Sequence, residues 1–146
     1  MKIVHVLNNK AIEKDVSGAE ELSFFLSNNN GGFAHFSTSP EPTSKYQGFF
    51  AKIGNSMFKI IEDINPVLEE KAAVAENTGY SALFHHNTFY ESFFMPLHKN
   101  SLAYELSMEL PIELFLDVRK ASDFRQWGRH YEAYEKDGVI VVEFTK

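Results

Sequence analysis

The residues best suited to chemistry lie in the stretch DFRQWGRHYEAY, residues 123–134, where the single tryptophan of the chain, Trp127, stands between Arg125 and Arg129 and just before His130. An indole face complements the C–H face of a sugar ring, and adjacent Arg and Asp side chains supply hydrogen bonds to hydroxyls. The plainer reading of the same residues is an amphipathic ring that seals the end of a β-sandwich. Carboxylates offer a second chemistry, since two acids flanking a glycosidic bond can hydrolyse it. Glu62-Asp63, Glu69-Glu70 and Asp117 are the available acids. Glu105, Glu109, Glu113 and Asp117 alternate with apolar residues, which a solvated strand face accounts for, so no acid stands out as catalytic.

Other chemistries find no support. The six histidines are His5, His35, His85, His86, His98 and His130. His85 and His86 are adjacent, so on a strand they point to opposite faces and do not chelate one ion together. No His-Glu-x-x-His spacing, nucleophile elbow, P-loop or dinucleotide fingerprint occurs. Zero cysteines exclude a disulfide framework, thiolate catalysis and a thiolate metal site. No cofactor and no metal are expected. The net charge is −6, from 14 Lys+Arg against 20 Asp+Glu, and no basic tract exceeds two residues, which speaks against a nucleic-acid partner. No stretch approaches the ~20 apolar residues of a membrane span. The run Met1–Asn8 is too short for a signal peptide. The expectation is a soluble cytoplasmic protein with no membrane partner.

These side chains must be positioned by a mainly β framework. The chain has 146 residues, one domain by length, and its 14 phenylalanines and six tyrosines favour strands. In SLAYELSMELPIELFLDVR, Leu102, Tyr104, Leu106, Met108, Leu110, Ile112, Leu114, Leu116 and Val118 are apolar, and the intervening Ser101, Glu105, Ser107, Glu109, Glu113, Asp117 and Arg119 are polar. That pattern predicts a half-buried strand, or two in one register, with Pro111 at a bend or an edge. Residues 87–97 read as an aromatic strand joined to it by a hairpin at His98-Lys99-Asn100. The tail predicts a second hairpin, strands 131–136 and 139–144 about a type I′ turn at Asp137-Gly138.

Towards the N-terminus, strands are expected at 2–7, 22–26, 33–36 and 46–53. The segment SMFKIIEDI fits helical spacing and alternation alike. NPVLEEKAAVAENTG, residues 65–79, predicts one helix, with Asn65 as cap, Pro66 at the first turn and Glu69 and Glu70 at the positive end of the dipole. A strand pair turning at Asn77-Thr78-Gly79 is the alternative. The whole reads as an antiparallel β-sandwich over residues 1–146 with at most one or two short helices.

The remaining signal is LSNNNGGFAHFSTSPEPTSKYQGFF. Asn30-Gly31-Gly32 lacks the strand-then-helix setting of a phosphate loop, because a strand follows it, so local chemistry gives a turn. The stretch as a whole resembles the N-terminal signature of bacterial and archaeal glycogen debranching enzymes of the amylo-α-1,6-glucosidase family. That signature joins a Thr-Asn-Gly-x-Gly-Gly-Tyr stretch to a later Arg-Arg-Tyr-His-Gly-Leu-Leu. Ser27-Asn28-Asn29-Asn30-Gly31-Gly32-Phe33 and Ser44-Lys45-Tyr46-Gln47-Gly48-Phe49-Phe50 take the two places, with the spacing between them preserved.

A second segment, residues 91–127, is similar to the family's later strands, and Ser122-Asp123-Phe124-Arg125 stands where the family has an Arg-Asp-Phe-His element. The resemblance covers about half the chain. Gln47 and Arg125 replace family histidines, and Ser44 and Lys45 replace the paired arginines. The resemblance implies all or part of a galactose-mutarotase-like supersandwich, the N-terminal portion of a longer protein. The implied catalytic acids belong to a following helical domain. Asn28, Gly31, Gly32, Tyr46, Gln47 and Gly48 are then implied to contact carbohydrate or the adjoining domain, and Trp127 joins them on its own chemistry. The implied partners are an α-glucan and a helical glucosidase domain, in cis or in trans. A stand-alone carbohydrate-binding or dimerising module, and a glycoside hydrolase using local carboxylates, are the competing expectations.

Overall fold

A computed structural model of the chain describes residues 12–18, 21–37, 44–68, 70–125 and 127–145. The strand expected at residues 2–7, His5 and Glu69 lie outside them. Twelve strands run in order: β1 Ile12–Asp15, β2 Ser23–Ser27, β3 Phe33–Ser37, β4 Gly48–Ile53, β5 Ser56–Pro66, β6 Val74–Asn77, β7 Ser81–His85, β8 Tyr90–Phe94, β9 Ala103–Leu106, β10 Ile112–Lys120, β11 His130–Lys136 and β12 Val139–Thr145. They form a five-stranded sheet ordered β1-β6-β7-β8-β9, a second ordered β10-β5-β4-β3-β2, and the separate hairpin β11-β12, with every pairing antiparallel. The architecture is a mainly β sandwich. No helix among the described residues is long and apolar enough to cross a membrane.

Alternation explains the core. Leu26, Ala34, Phe36, Phe49 and Ala51 of the second sheet meet Ala82, Phe84 and Phe93 of the first and Met95 just beyond β8, all buried in one cluster. Phe24, Phe36, Phe84 and Phe93 pack ring to ring at centroid separations of 4.8 to 6.3 Å. Such tilted and edge-on pairs favour the ring quadrupoles beyond simple area burial.

The helix expected over residues 65–79 does not form; no helix occurs among the described residues. Pro66 ends β5 instead of opening a helix, and Val74–Asn77 is taken up as a strand between β1 and β7. The alternative turn is the one observed: Thr78 N donates to Ser81 O at 2.9 Å, and Gly79 takes φ +88°. Pairing on both edges outweighs the helix preference of the Ala- and Glu-rich window.

The long alternating stretch is two strands, but they do not share a register. β9 closes the edge of the first sheet and β10 the edge of the second, so the chain crosses between the sheets through 107–111. Pro111 sits in that crossing, where its carbonyl accepts from Val67 N at 2.9 Å. The expected burial of the apolar side of β10 is also corrected. Ile112 and Leu114 are each about half exposed, as is Phe115 on the opposite side, because no third layer covers this edge among the described residues. The terminal hairpin is as expected, with positive φ at both Asp137 (54°) and Gly138 (74°).

Candidate functional site

The first half of the paired motif builds a turn. Asn28 Oδ1 accepts from Asn30 N at 3.0 Å and Gly32 N at 2.9 Å, while Asn28 Nδ2 donates to Lys99 O at 2.8 Å. Asn29 N donates to Leu97 O at 2.9 Å. Asn28 therefore ties the β2–β3 turn to the β8–β9 turn at one end of the sandwich. Gly31 supplies a φ of +82°, and a side chain at Gly32 would meet Phe50 O at 3.1 Å.

The second half lies at the other end of the short β3–β4 ladder. Phe33 pairs with Phe50 and His35 with Gly48, which puts Gly32 and Gly48 roughly 10 Å apart at the ordinary strand rise. The two halves flank one strand pair. Gly48 has φ +113°, and a Cβ there would stand 2.1 Å from Ile61 O and 2.9 Å from Lys59 Cε. No other residue fits without moving β5. Gln47 is buried, its N–H donating to Ser44 O at 2.9 Å, and Tyr46 is half exposed with the Lys45 ammonium 5.0 Å from its ring. Trp127 is 71% exposed. The Arg125 guanidinium lies 5.5 Å from the Trp127 ring and forks onto Asp123 at 2.9 and 3.1 Å.

The close approach at Gly48 leads to a cluster that sequence reading missed. Three register shifts gather about Ile60–Glu62 and Asp117–Val118: one between β4 and β5, and two between β5 and β10. Ile61 pairs with Phe49 on the core face, whereas Lys59, two residues earlier, pairs with the outward Phe50. Bulges re-aim side chains in this way. The result is a lysine only 1% exposed on the outer side of the sheet, its ammonium 5.7 Å from the Phe50 ring. Lys59 pairs with Glu62 and lies 3.8 Å from Asp117 Oδ2. Arg119 Nε donates to Asp117 Oδ2 at 2.7 Å, and Arg129 Nη1 donates to Asp117 Oδ1. Burial alone would raise the Asp117 carboxyl, but the hydrogen bond and charge of Arg119, with the charges of Arg129 and Lys59, outweigh it and hold it below the usual carboxylate range. The solvated role expected for Asp117 is thus corrected. Tyr131 Oη accepts from Val118 N at 3.0 Å, so the base of the terminal hairpin is pinned to β10 beside these charges.

A second missed site opens between the sheets. Phe24, Phe36, Phe84 and Phe93 floor a cleft of about 520 Å³, rimmed by Asp63, Asn65, Glu70, His86 and Glu91. The alternation Ala82, Phe84, His86 turns His86 inward, and Glu91 shares the inner face with Phe93. His85, on the opposite face as its adjacency requires, meets Glu76 at 2.9 Å. Glu91 Oε2 accepts from Tyr104 Oη at 2.9 Å, and Glu91 Oε1 stands 3.4 Å from His86 Nε2. Burial works against the His86 cation, yet the negative charge of Glu91 beside it, helped by Glu70, raises its pKa above the usual histidine value. Burial, followed by the negative neighbour Glu91, pushes the Tyr104 hydroxyl far up. Burial likewise raises Asp63. Glu70 is held low, first by its hydrogen bond from the Thr88 hydroxyl and then by the 87–88 backbone.

A perturbed acid and a perturbed histidine over an aromatic floor are the features of a ligand site. Among the described residues no group of three His, Asp or Glu is arranged to hold a metal ion. No protein-family model, curated protein or solved structure matches the chain.

Proposed function

We propose that the chain is a non-catalytic β-sandwich module of a protein related to glycogen debranching enzymes, packing against a helical glucosidase domain and lining its α-glucan cleft. The uncovered hairpin carries this reading. β11 and β12 pair only with each other among the described residues, and a lone two-stranded hairpin is marginal in water. Tyr131, Ala133, Ile140, Val142 and Phe144 share one of its faces by register, and Ile140 at its tip is 77% exposed. An apolar face of this kind, beside the half-exposed end of β10, is the surface a covering domain would bury. Trp127, next to its base, stands where an α-glucan bound at the junction would stack.

Sedimentation of the chain mixed with a helical glucosidase domain tests the docking, with Ile140→Glu expected to abolish association. Emission from Trp127 reports α-glucan directly, because it is the single tryptophan of the chain. No association together with flat Trp127 emission on adding maltoheptaose would sink the proposal. Glucose released from limit dextrin by this chain alone would refute its non-catalytic part.

A further inference from the structure

The inter-sheet cleft has a chemistry that docking does not use. Its volume, about 520 Å³, lies within the range of small-molecule sites. Among the described residues three carboxylates and one histidine line it, with no lysine or arginine, so an anion would meet uncompensated negative charge. The lining is also rich in acceptors and poor in donors. Asn65 Nδ2 already donates to Asp63 Oδ2 at 3.3 Å, and Ser37 Oγ donates to Glu21 Oε1 at 2.8 Å. His86 Nδ1 faces the Glu70 carbonyl at 3.0 Å, an acceptor, and so carries the proton there.

The His86 side chain is only 7% exposed, yet its Nε2 has no hydrogen bond among the described residues; Glu91 Oε1 is close but not aligned. Among the described residues Asp63 accepts only from its immediate neighbours, Ile64 N at 3.1 Å and Asn65 Nδ2, which leaves lone pairs unused at a half-buried carboxylate. A ligand that only donates, and whose body suits phenylalanine faces, answers all of these features. An ammonium group has three donors and no acceptor, and cations are attracted to aromatic faces.

We infer that the cleft binds a small organic cation, a protonated primary amine on an apolar body, with the amine directed to Asp63 and Glu91 and the body against Phe24 and Phe84. Neutral His86, with its proton on Nδ1, offers Nε2 as a further acceptor; protonated, it offsets Glu91, and Asp63 with Glu70 still leaves the site negative. Glu70 contributes field more than contact, since Thr88 and the 87–88 backbone already occupy its oxygens.

The experiment is an NMR titration of the full chain with phenethylamine, phenylacetate and maltose in parallel. The amine is expected to bind with a dissociation constant on the order of a millimolar or tighter. Its shifts should centre on Phe24, Phe84 and His86, and added salt should weaken it. Asp63→Asn should weaken it at least about tenfold, the size of losing one charged contact. Should that variant fold poorly, Leu68→Lys, an exposed rim position, puts a cation at the mouth and should weaken the amine similarly. Phenylacetate binding as tightly as the amine, maltose binding in its place, or an amine affinity indifferent to both variants would each overturn the assignment.

Discussion

Replacing Asp117 with alanine removes the carboxylate that Lys59, Arg119 and Arg129 share. Those three side chains are 2%, 6% and 10% exposed, so water cannot readily take its place. Deleting one partner of a buried ion pair costs about 3–5 kcal/mol, because the other is left uncompensated. Asp117 itself keeps 19% of its side chain exposed and Glu62 still answers Lys59, which puts the expected loss at the low end, about 3 kcal/mol. For a chain of this length that is roughly a 10 °C fall in Tm. Urea denaturation of D117A against Glu113→Ala, an exposed acid on the same strand, gives the comparison; the control should stay within about 0.5 kcal/mol.

The pH dependence supplies an independent sign. The folded Asp117 pKa is depressed, so the unfolded state binds more protons in the interval below about pH 4, and stability must rise with pH there. The contribution is present above the unfolded value and lost as pH falls through the folded one. Asp117→Asn should flatten that acid limb. A D117A loss below about 1 kcal/mol, with the acid limb unchanged in D117N, would show that the cluster is a solvated arrangement and refute the reasoning.

Two further outcomes follow from single positions. Gly48→Ala should cost at least about 2 kcal/mol by urea denaturation, because the new methyl overlaps Ile61 O at a backbone angle that L residues avoid. Gly54→Ala, with a φ of +57° but open space around it, should cost only about 1–2 kcal/mol. His86 should titrate above its ordinary value in an NMR pH series, and Glu91→Gln should bring it down. Its contribution to stability is fully present below the unfolded value near 6.5 and lost as pH rises through the higher folded value.

Short aromatic runs made β2, β3, β4 and β8 legible in the sequence, alternation did so for β9 and β10, and the Asp137-Gly138 turn set the terminal hairpin within a residue at each end. These signals are local. β6 was obscured because Leu68–Glu76 has good helix formers, and only pairing with β1 and β7 decides against them. The motif residues were found, but the reason for Gly48 was not, since the oxygen it avoids belongs to Ile61 on the neighbouring strand. Lys59 and Asp117 lie 58 residues apart in sequence, and nothing in either neighbourhood announces the bulges that bring them together. His86 was correctly set opposite His85; Glu91 was invisible as an inward carboxylate because a strand with Phe93 and Phe94 adjacent gives no clear inner face.

The slip at Ile60 makes β5 two half-strands of opposite phase. Ile60 and Ile61 both pack against the core, while Lys59 turns away from it. Conservative replacement of Ile60 by valine leaves that phase alone. Loss of the residue would set Lys59 directly beside Ile61, and plain alternation would then keep Ile61 inward against Phe49 and Lys59 outward against Phe50. A codon deletion at Ile60 is therefore a loss of the bulge and not of the register with β4.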